Sequence, residues 1–208
     1  MRFSLFVAGL VVCLPAAAQA QHTQDTARAI FAAGCFWCVE EAFEKVEGVV
    51  EAVSGYAGGT EADPTYEQVT AGRTGHVEAV EVRYDPAKIS YADLLNVYWL
   101  NVDPLDGQGQ FCDRGVSYRP MIFPLTDEQE RLAIQSRSRI GEKLDQSIPV
   151  RIDDPIKFYP AEDYHQDYAE KNPLRYRFYK WSCGREQRLD DVWGEDREPP
   201  LDLAHSGS

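Results

Sequence analysis

Between residues 26 and 59 the spacing of apolar positions switches from continuous to helical and back. "TARAIFAAG" is short, apolar and closed by Gly34, which reads as a buried strand. From Phe36 the period changes: Phe36, Val39, Ala42, Phe43 and Val46 fall at three- and four-residue steps, one face of a helix that Gly48 ends. "VVEAVSGYAGG" then reads as a second strand running into a Gly turn, giving a βαβ-type unit. "HVEAVEVRYDP" alternates cleanly and is closed by Asp85-Pro86. "SYADLLNVYWLNVDP" is a helix with Ser90 as N-cap and Asp93 three residues on. "TDEQERLAIQSRSRIGEKL" is another, with Thr126 and Gln129 spaced as a capping box. "IPVRID" reads as a strand, and "AEDYHQDYAEKNP" as a short helix stopped by Pro173. Strands and helices are mixed rather than strictly alternating, which favours α+β over a doubly wound sheet.

The two ends stand apart from this pattern. Arg2, the apolar run "FSLFVAGLVVCLP" and the small residues Ala18–Ala20 read as a secretory signal cut after Ala20. The run is shorter than the ~20 residues that a membrane span needs. The remaining ~185 residues suit one domain, taken as 21–197, with a substantial core. The polar, Pro-rich end, 198–208, is expected to be disordered. The formal charge of −13 argues against nucleic acid and anionic membranes as partners. Export implies an oxidising, periplasmic destination, where disulfides persist.

Four cysteines remain after such a cleavage: Cys35, Cys38, Cys112 and Cys183. Cys35 stands at a strand-to-helix junction, where unpaired first-turn N–H groups and the helix dipole favour an anion. Its thiol pKa is expected to fall, making it a nucleophile; a packed structural cysteine is the alternative. Gly34 beside it allows another group to approach the backbone closely. Trp37 lies off the apolar stripe of its helix and is either a pocket wall or core. In the alternating strand, Glu78 shares a face with Val80, Val82 and Tyr84, while Glu81 and Arg83 lie on the other. A carboxyl held against an apolar face stays protonated and can act as a general acid; a salt-bridged rim glutamate is the alternative. Tyr66 follows Pro64 in a turn. Cys112, Asp113, Arg114 and Tyr118 share a Gly- and Pro-bounded loop, and His165 sits among tyrosines. "KWSCGREQRLDDVWG" reads as a late loop whose Cys183 either swings to an oxidised partner or is bridged to Cys112.

"GCFWCVE", "GYAGG", "PTYEQV", "GHVEAVEVRYDP" and "HQDY" with "KNP", in that order over residues ~28 to ~175, closely resemble the A-type peptide methionine sulfoxide reductases. The resemblance implies an α/β roll around a split βαβ, or ferredoxin-like, plait, with a mixed sheet, flanking helices and long loops. It implies reduction of the S epimer of methionine sulfoxide, free or in proteins, in repair of oxidative damage. No metal or organic cofactor is implied. Cys35 would attack the sulfoxide sulfur. Glu78 would protonate its oxygen, with Tyr66 and Tyr118 hydrogen-bonded to it. Phe36 and Trp37 would receive the S-methyl group, and Asp113 and His165 would hold the substrate. A sulfenic acid on Cys35 would condense with a second thiol, and an external thioredoxin-like dithiol would reduce the disulfide. The protein is expected to act as a monomer.

Two departures from the family pattern bear on the second thiol. Cys38 stands where the family most often has Gly, and the loop reads "QFCDRG" where "QGNDxG" is common. The C-terminal segment also lacks the Gly-rich tail of better-known members. Cys183, Cys38 and Cys112 therefore all remain candidates for the resolving thiol. Among rival classes, a thioredoxin-like oxidoreductase explains Cys-x-x-Cys but not Glu78 or the turn tyrosines. A zinc module would need Cys112 and Cys183 close in sequence. A papain-like protease would carry a different sequence around its cysteine.

Overall fold

The computed structural model describes residues 25–154 and 157–201. The leader expected over 1–20 lies outside the described residues. In chain order the elements are β1 (Ala27–Ala32), α1 (Phe36–Glu44), β2 (Val49–Ala57), α2 (Tyr66–Thr70), β3 (Val77–Tyr84) and α3 (Tyr91–Leu100). A short hairpin follows, β4 (Gly109–Gln110) with β5 (Asp113–Arg114), then β6 (Met121–Phe123), α4 (Asp127–Leu144), β7 (Arg151–Ile152) and β8 (Tyr159–Pro160). The chain closes with α5 (Tyr168–Lys171), α6 (Pro173–Ser182) and α7 (Arg185–Trp193).

The main sheet has the order β7-β6-β1-β3-β2-β8. β3 lies between β1 and β2 and is antiparallel to both, so β1 and β2 run parallel with α1 as their crossover. The sheet is mixed, because β6 and β7 pair in parallel while β1 and β6 pair antiparallel. Helices α1, α3 and α4 cover one face. Phe36, Val39 and Phe43 of α1 and Leu94, Leu95 and Trp99 of α3 pack on Phe31, Val80, Val82 and Ile122. The apolar stripe read from the sequence is what seats α1 there. The other face is smaller and holds Ile30, Ala32, Val77, Ala79 and Phe123. The architecture is α+β, a mixed sheet with flanking helices.

Local signals hold at several element ends. Ser90 and Asp93 form the full reciprocal cap of α3. Thr126 caps α4, but Gln129 reaches past it to the Leu125 N–H at 2.8 Å, so only half of the box forms. Other expectations are corrected. "IPVRID" forms only the two-residue β7. The helix expected over 161–173 breaks into a 3-10 turn and α5, because Asp167 takes a left-handed conformation, φ 52°. Pro173 starts α6 rather than stopping a helix; its fixed φ and missing N–H suit a first helical position. The late loop around Cys183 is two helices, α6 and α7, joined at Gly184 with φ 66°. Of the end expected to be disordered, 202–208 lie outside the described residues, and Leu201 departs from the expectation. Leu201 is buried in the main core, and its N–H and C=O bond to the Asn96 amide at 2.9 and 3.1 Å.

Candidate active site

Cys35 is the residue before α1, at the point where β1 leaves the sheet. Gly34 takes φ +82° there, and a Cβ on it would meet Gln110 Cβ at 2.5 Å. Glycine therefore lets the β4–β5 loop close over the junction. Gln110 is itself fully buried. Its side chain accepts from the Asp103 N–H at 2.8 Å and donates to the Asp103 and Asp106 carbonyls at 2.9 and 3.0 Å. Arg188 of α7 pairs with Asp103 at 2.7 Å, tying the last helix to this loop.

β3 brings Glu78 to the same place. It is the first residue of the Val80–Val82–Tyr84 face and is buried at the end nearest α1. Its Oε2 accepts the Phe36 N–H at 3.0 Å. Burial pushes the Glu78 carboxyl up to about 8, with the Asp113 charge adding to it and the Phe36 N–H opposing it. The carboxyl is thus neutral at pH 7, with its proton on the oxygen that Phe36 leaves free.

A cavity of about 70 Å³ opens between these groups, lined by Cys35, Phe36, Trp37, Tyr66, Glu78, Asp113, Tyr118 and Tyr179. Tyr66 enters from the first turn of α2, whose N–H it donates to Glu162 at 3.0 Å; Tyr118 ends the 3-10 turn Val116–Tyr118. Burial pushes the Tyr66 hydroxyl up to about 12 and raises Tyr118 as well, so both remain proton donors. Larger, more open grooves exist. The one of about 520 Å³ between β2 and the 163–170 segment is lined by Glu44, Glu51, Asp163, Asp167 and Glu170 and contains no nucleophile.

Trp37 is a cavity wall fixed from behind. Its ring stacks on Tyr168 at 3.7 Å, and its Nε1–H donates to His165 Nδ1 at 3.1 Å. His165 lies against Phe36, 4.9 Å between centroids, and backs the cavity without lining it. Because Nδ1 accepts, the neutral ring carries its proton on Nε2, which has no protein partner among the described residues. Burial lowers the His165 pKa and keeps the ring neutral, against the opposing pull of Glu162.

The thiols depart from expectation. The helix N-terminus does not stabilise a Cys35 thiolate, because the Phe36 N–H goes to Glu78 and the Cys38 N–H to the Cys35 carbonyl. Burial pushes the Cys35 thiol up, and its Cys38 neighbour adds to this. Cys38 moves the other way, down to about 6. A hydrogen bond from Cys35 is the largest cause; Arg185, Tyr176 and Lys180 also favour its thiolate, against burial. The negative charge of this pair thus rests on Cys38. Both are free and buried, while Cys112 and Cys183 are bonded to one another. The Cys112 and Cys183 sulfurs and an Asp113 carboxylate oxygen all lie within 4.8 Å of one another. Tyr179 donates to Asp113 and also contacts the Cys35 thiol, so it joins the two sulfur pairs.

Tyr179 and Tyr176 were not singled out from the sequence. Tyr176 donates to Glu41 at 2.6 Å and contacts Cys38. Their three-residue spacing on α6 is the available signal, and it becomes readable only once 173–182 is recognised as a helix.

Residues 27–197 match the family model described as peptide methionine sulfoxide reductase. Peptide methionine sulfoxide reductase MsrA 2 of Caulobacter vibrioides is 48% identical over 191 residues, covering 91% of this chain and 96% of that protein. The protein of the same name from Rhizobium meliloti is 46% identical over 190 residues, covering 89% and 92%. Among solved structures, reduced Mxr1 from Saccharomyces cerevisiae superposes with a TM-score of 0.68 at 30% identity, over 71% of this chain and 86% of that one. Methionine sulfoxide reductase A of Corynebacterium diphtheriae gives 0.65 at 34% identity, over 72% and 76%.

Proposed function

The chain belongs to the peptide methionine sulfoxide reductase family and reduces methionine sulfoxide, and from that premise we propose how its own residues do so. The observation that carries the reading is Glu78, a carboxyl kept neutral by burial, sharing a small cavity with the Cys35 thiol. The sulfoxide enters with its methyl group against Phe36 and Trp37. Its oxygen meets Glu78, Tyr66 and Tyr118, and Asp113 holds the rest of the substrate, with His165 acting from behind the wall through its bond to Trp37. The Cys35 sulfur attacks the sulfoxide sulfur while Glu78 gives its proton to the oxygen and takes up the proton that the Cys35 thiol releases. The oxygen passes to Cys35, methionine leaves, and Cys35 becomes a sulfenic acid. We read the S epimer as the substrate, with turnover of resolved sulfoxide epimers as the check. Both electrons come from the thiol, so the step needs no organic cofactor.

Cys38 then resolves the sulfenic acid. It is one turn along α1, hydrogen-bonded to Cys35, and a thiolate at neutral pH. Its attack on the Cys35 sulfur forms an S–S bond and releases water. That disulfide is buried, so its oxidation passes by exchange to the Cys112 and Cys183 thiols beside Asp113. Cys35 and Cys38 return to thiols as Cys112–Cys183 forms. An external thioredoxin-like dithiol reduces the outer pair. The leader read over 1–20 supports a periplasmic setting. The strand order β6-β1-β3-β2, with α1 and α3 on one face, supports a ferredoxin-like plait as the core topology. Cys35→Ser is expected to abolish methionine formation, and measurable turnover in that variant would refute the mechanism. Mass spectrometry of wild type after one equivalent of sulfoxide should find Cys35–Cys38 before Cys112–Cys183.

A further inference from the structure

The fold brings Cys112, Asp113 and Cys183 together, although 71 residues separate the two cysteines. Cys112 lies in the tight turn between β4 and β5, where Phe111 takes φ 55°, and Asp113 starts β5. Cys183 ends α6. Contacts besides the disulfide hold these segments to one another. Tyr179 of α6 donates to Asp113 Oδ2, and the Arg185 guanidinium lies 4.4 Å over the Phe111 ring. Arg188 of α7 pairs with Asp103, which Gln110 of β4 holds by two hydrogen bonds. Opening the S–S bond therefore leaves the two cysteines in place, with their Cα atoms 4.8 Å apart. Their sulfurs and an Asp113 carboxylate oxygen form one cluster of three potential metal ligands.

We propose that Cys112, Cys183 and Asp113 form a zinc site that exists only while the disulfide is open. Two thiolates and a carboxylate are a ligand set that suits Zn2+, and three protein ligands leave a fourth position for water. Two sulfurs on one tetrahedral zinc, each bonded at about 2.3 Å, are about 3.8 Å apart. Small side-chain rotations at both cysteines reach that separation once the S–S bond is open. Tyr179 donates to Asp113 Oδ2 and leaves Oδ1 for the metal; an outer hydrogen bond of this kind orients a ligating carboxylate. Cys112 is exposed, which gives the ion its way in. Charge also selects the reduced state. Arg185 is a cation beside Asp113 and opposes a metal while Asp113 is the only anionic ligand of the set. Reduction adds two thiolates, and the three negative charges then balance Arg185 and one divalent ion. Binding exchanges the two thiol protons for Zn2+ and moves no electrons. The consequence for turnover rests on the thiol relay described above. Zinc holds as thiolates the pair that the relay must oxidise, so the relay stops at Cys35–Cys38.

The test is titration of the full chain with Co2+ and then Zn2+, either with Cys112–Cys183 intact or after reduction by a phosphine that is then removed. The reduced wild type is expected to bind Co2+ with a thiolate charge-transfer absorbance in the near ultraviolet, which Zn2+ displaces. The chain with Cys112–Cys183 intact should show no such band, although its Cys35 and Cys38 are free thiols. Cys112→Ser and Cys183→Ser should lose the band, and Cys38→Ser should keep it. Asp113→Asn should keep it with affinity at least tenfold weaker, since loss of even an outer-shell partner costs ~10–100-fold. Zinc should also protect Cys112 and Cys183 of the reduced wild type from iodoacetamide, as mapped by mass spectrometry. That arm decides the matter if a variant does not fold. An equal band with the disulfide intact, loss of the band in Cys38→Ser, or unprotected Cys112 and Cys183 overturns the proposal. These readouts require no sulfoxide turnover. A failed relay would show instead as sulfoxide treatment that never oxidises Cys112 and Cys183.

Discussion

Replacing Glu78 with Gln keeps the side-chain shape and an oxygen for the Phe36 N–H, but removes the ionisable group. In the folded chain the carboxyl is raised from the ordinary 4.5 to about 8, chiefly by burial. Between those values the native state holds a proton that the unfolded chain has released. Wild-type stability therefore falls as pH rises through this window, by ~1.4 kcal/mol per pH unit relative to a neutral side chain. Below about pH 4 the carboxyl is neutral in both states and the two proteins should be equally stable. At neutral pH, Glu78→Gln should be more stable by ~3 kcal/mol, and the difference should level off above about pH 8. Urea titrations of both proteins from about pH 4 to about pH 9, with Cys112–Cys183 intact, measure it. The same variant should lose ~10²–10⁴ in turnover at neutral pH, the scale of a removed general acid. It should lose much less at acid pH, where solvent supplies the proton, and wild-type activity should fall as pH rises through about 8. A stability difference that does not vary with pH would mean that Glu78 is ionised in the native state, and the assignment as acid would fail.

Cys38→Ser should still release one methionine per chain, but leave a persistent Cys35 sulfenic acid that dimedone traps; rapid conversion to a Cys35–Cys183 bond would remove Cys38 from the relay. Thiolate absorbance of the reduced pair should rise with a midpoint near 6, the value to which Cys38 is brought, and be absent at neutral pH in Cys38→Ser, where the remaining buried Cys35 is neutral. Leu201→Ala should cost ~2–3 kcal/mol in urea denaturation, since it empties a buried site held in place by Asn96; an unchanged midpoint would show that 198–201 contributes nothing to the core.

The parts of this site that were legible in the sequence are those whose geometry is local. Strand parity put Glu78 on the apolar face, and a period of two is enough to decide that. The helical stripe set Trp37 apart from Phe36; its half-buried ring packs on the edge of the main core and on Tyr168 and also walls the cavity. Gly34 before Cys35 marked a close approach, which Gln110 makes. What failed depended on partners distant in sequence. The N-terminus of α1 predicts a lowered Cys35 thiol only if its N–H groups are free. Glu78, 42 residues away, takes the one that matters. That bond holds the carboxyl beside Cys35, while burial and the Cys38 neighbour raise the Cys35 thiol. The charge lies one turn along, on Cys38, where Arg185 and Lys180 from the two unforeseen helices favour it. Helices α6 and α7 were hidden because their residues are polar and aromatic, without a clean apolar stripe facing inward. The inner face of α6 is made of Tyr176, Tyr179 and Lys180, held by hydrogen bonds to Glu41 and Asp113 rather than by burial of aliphatic surface. A helix seated by hydroxyls and charges onto two thiols gives little periodic signal, yet it carries the groups that set which sulfur is ionised.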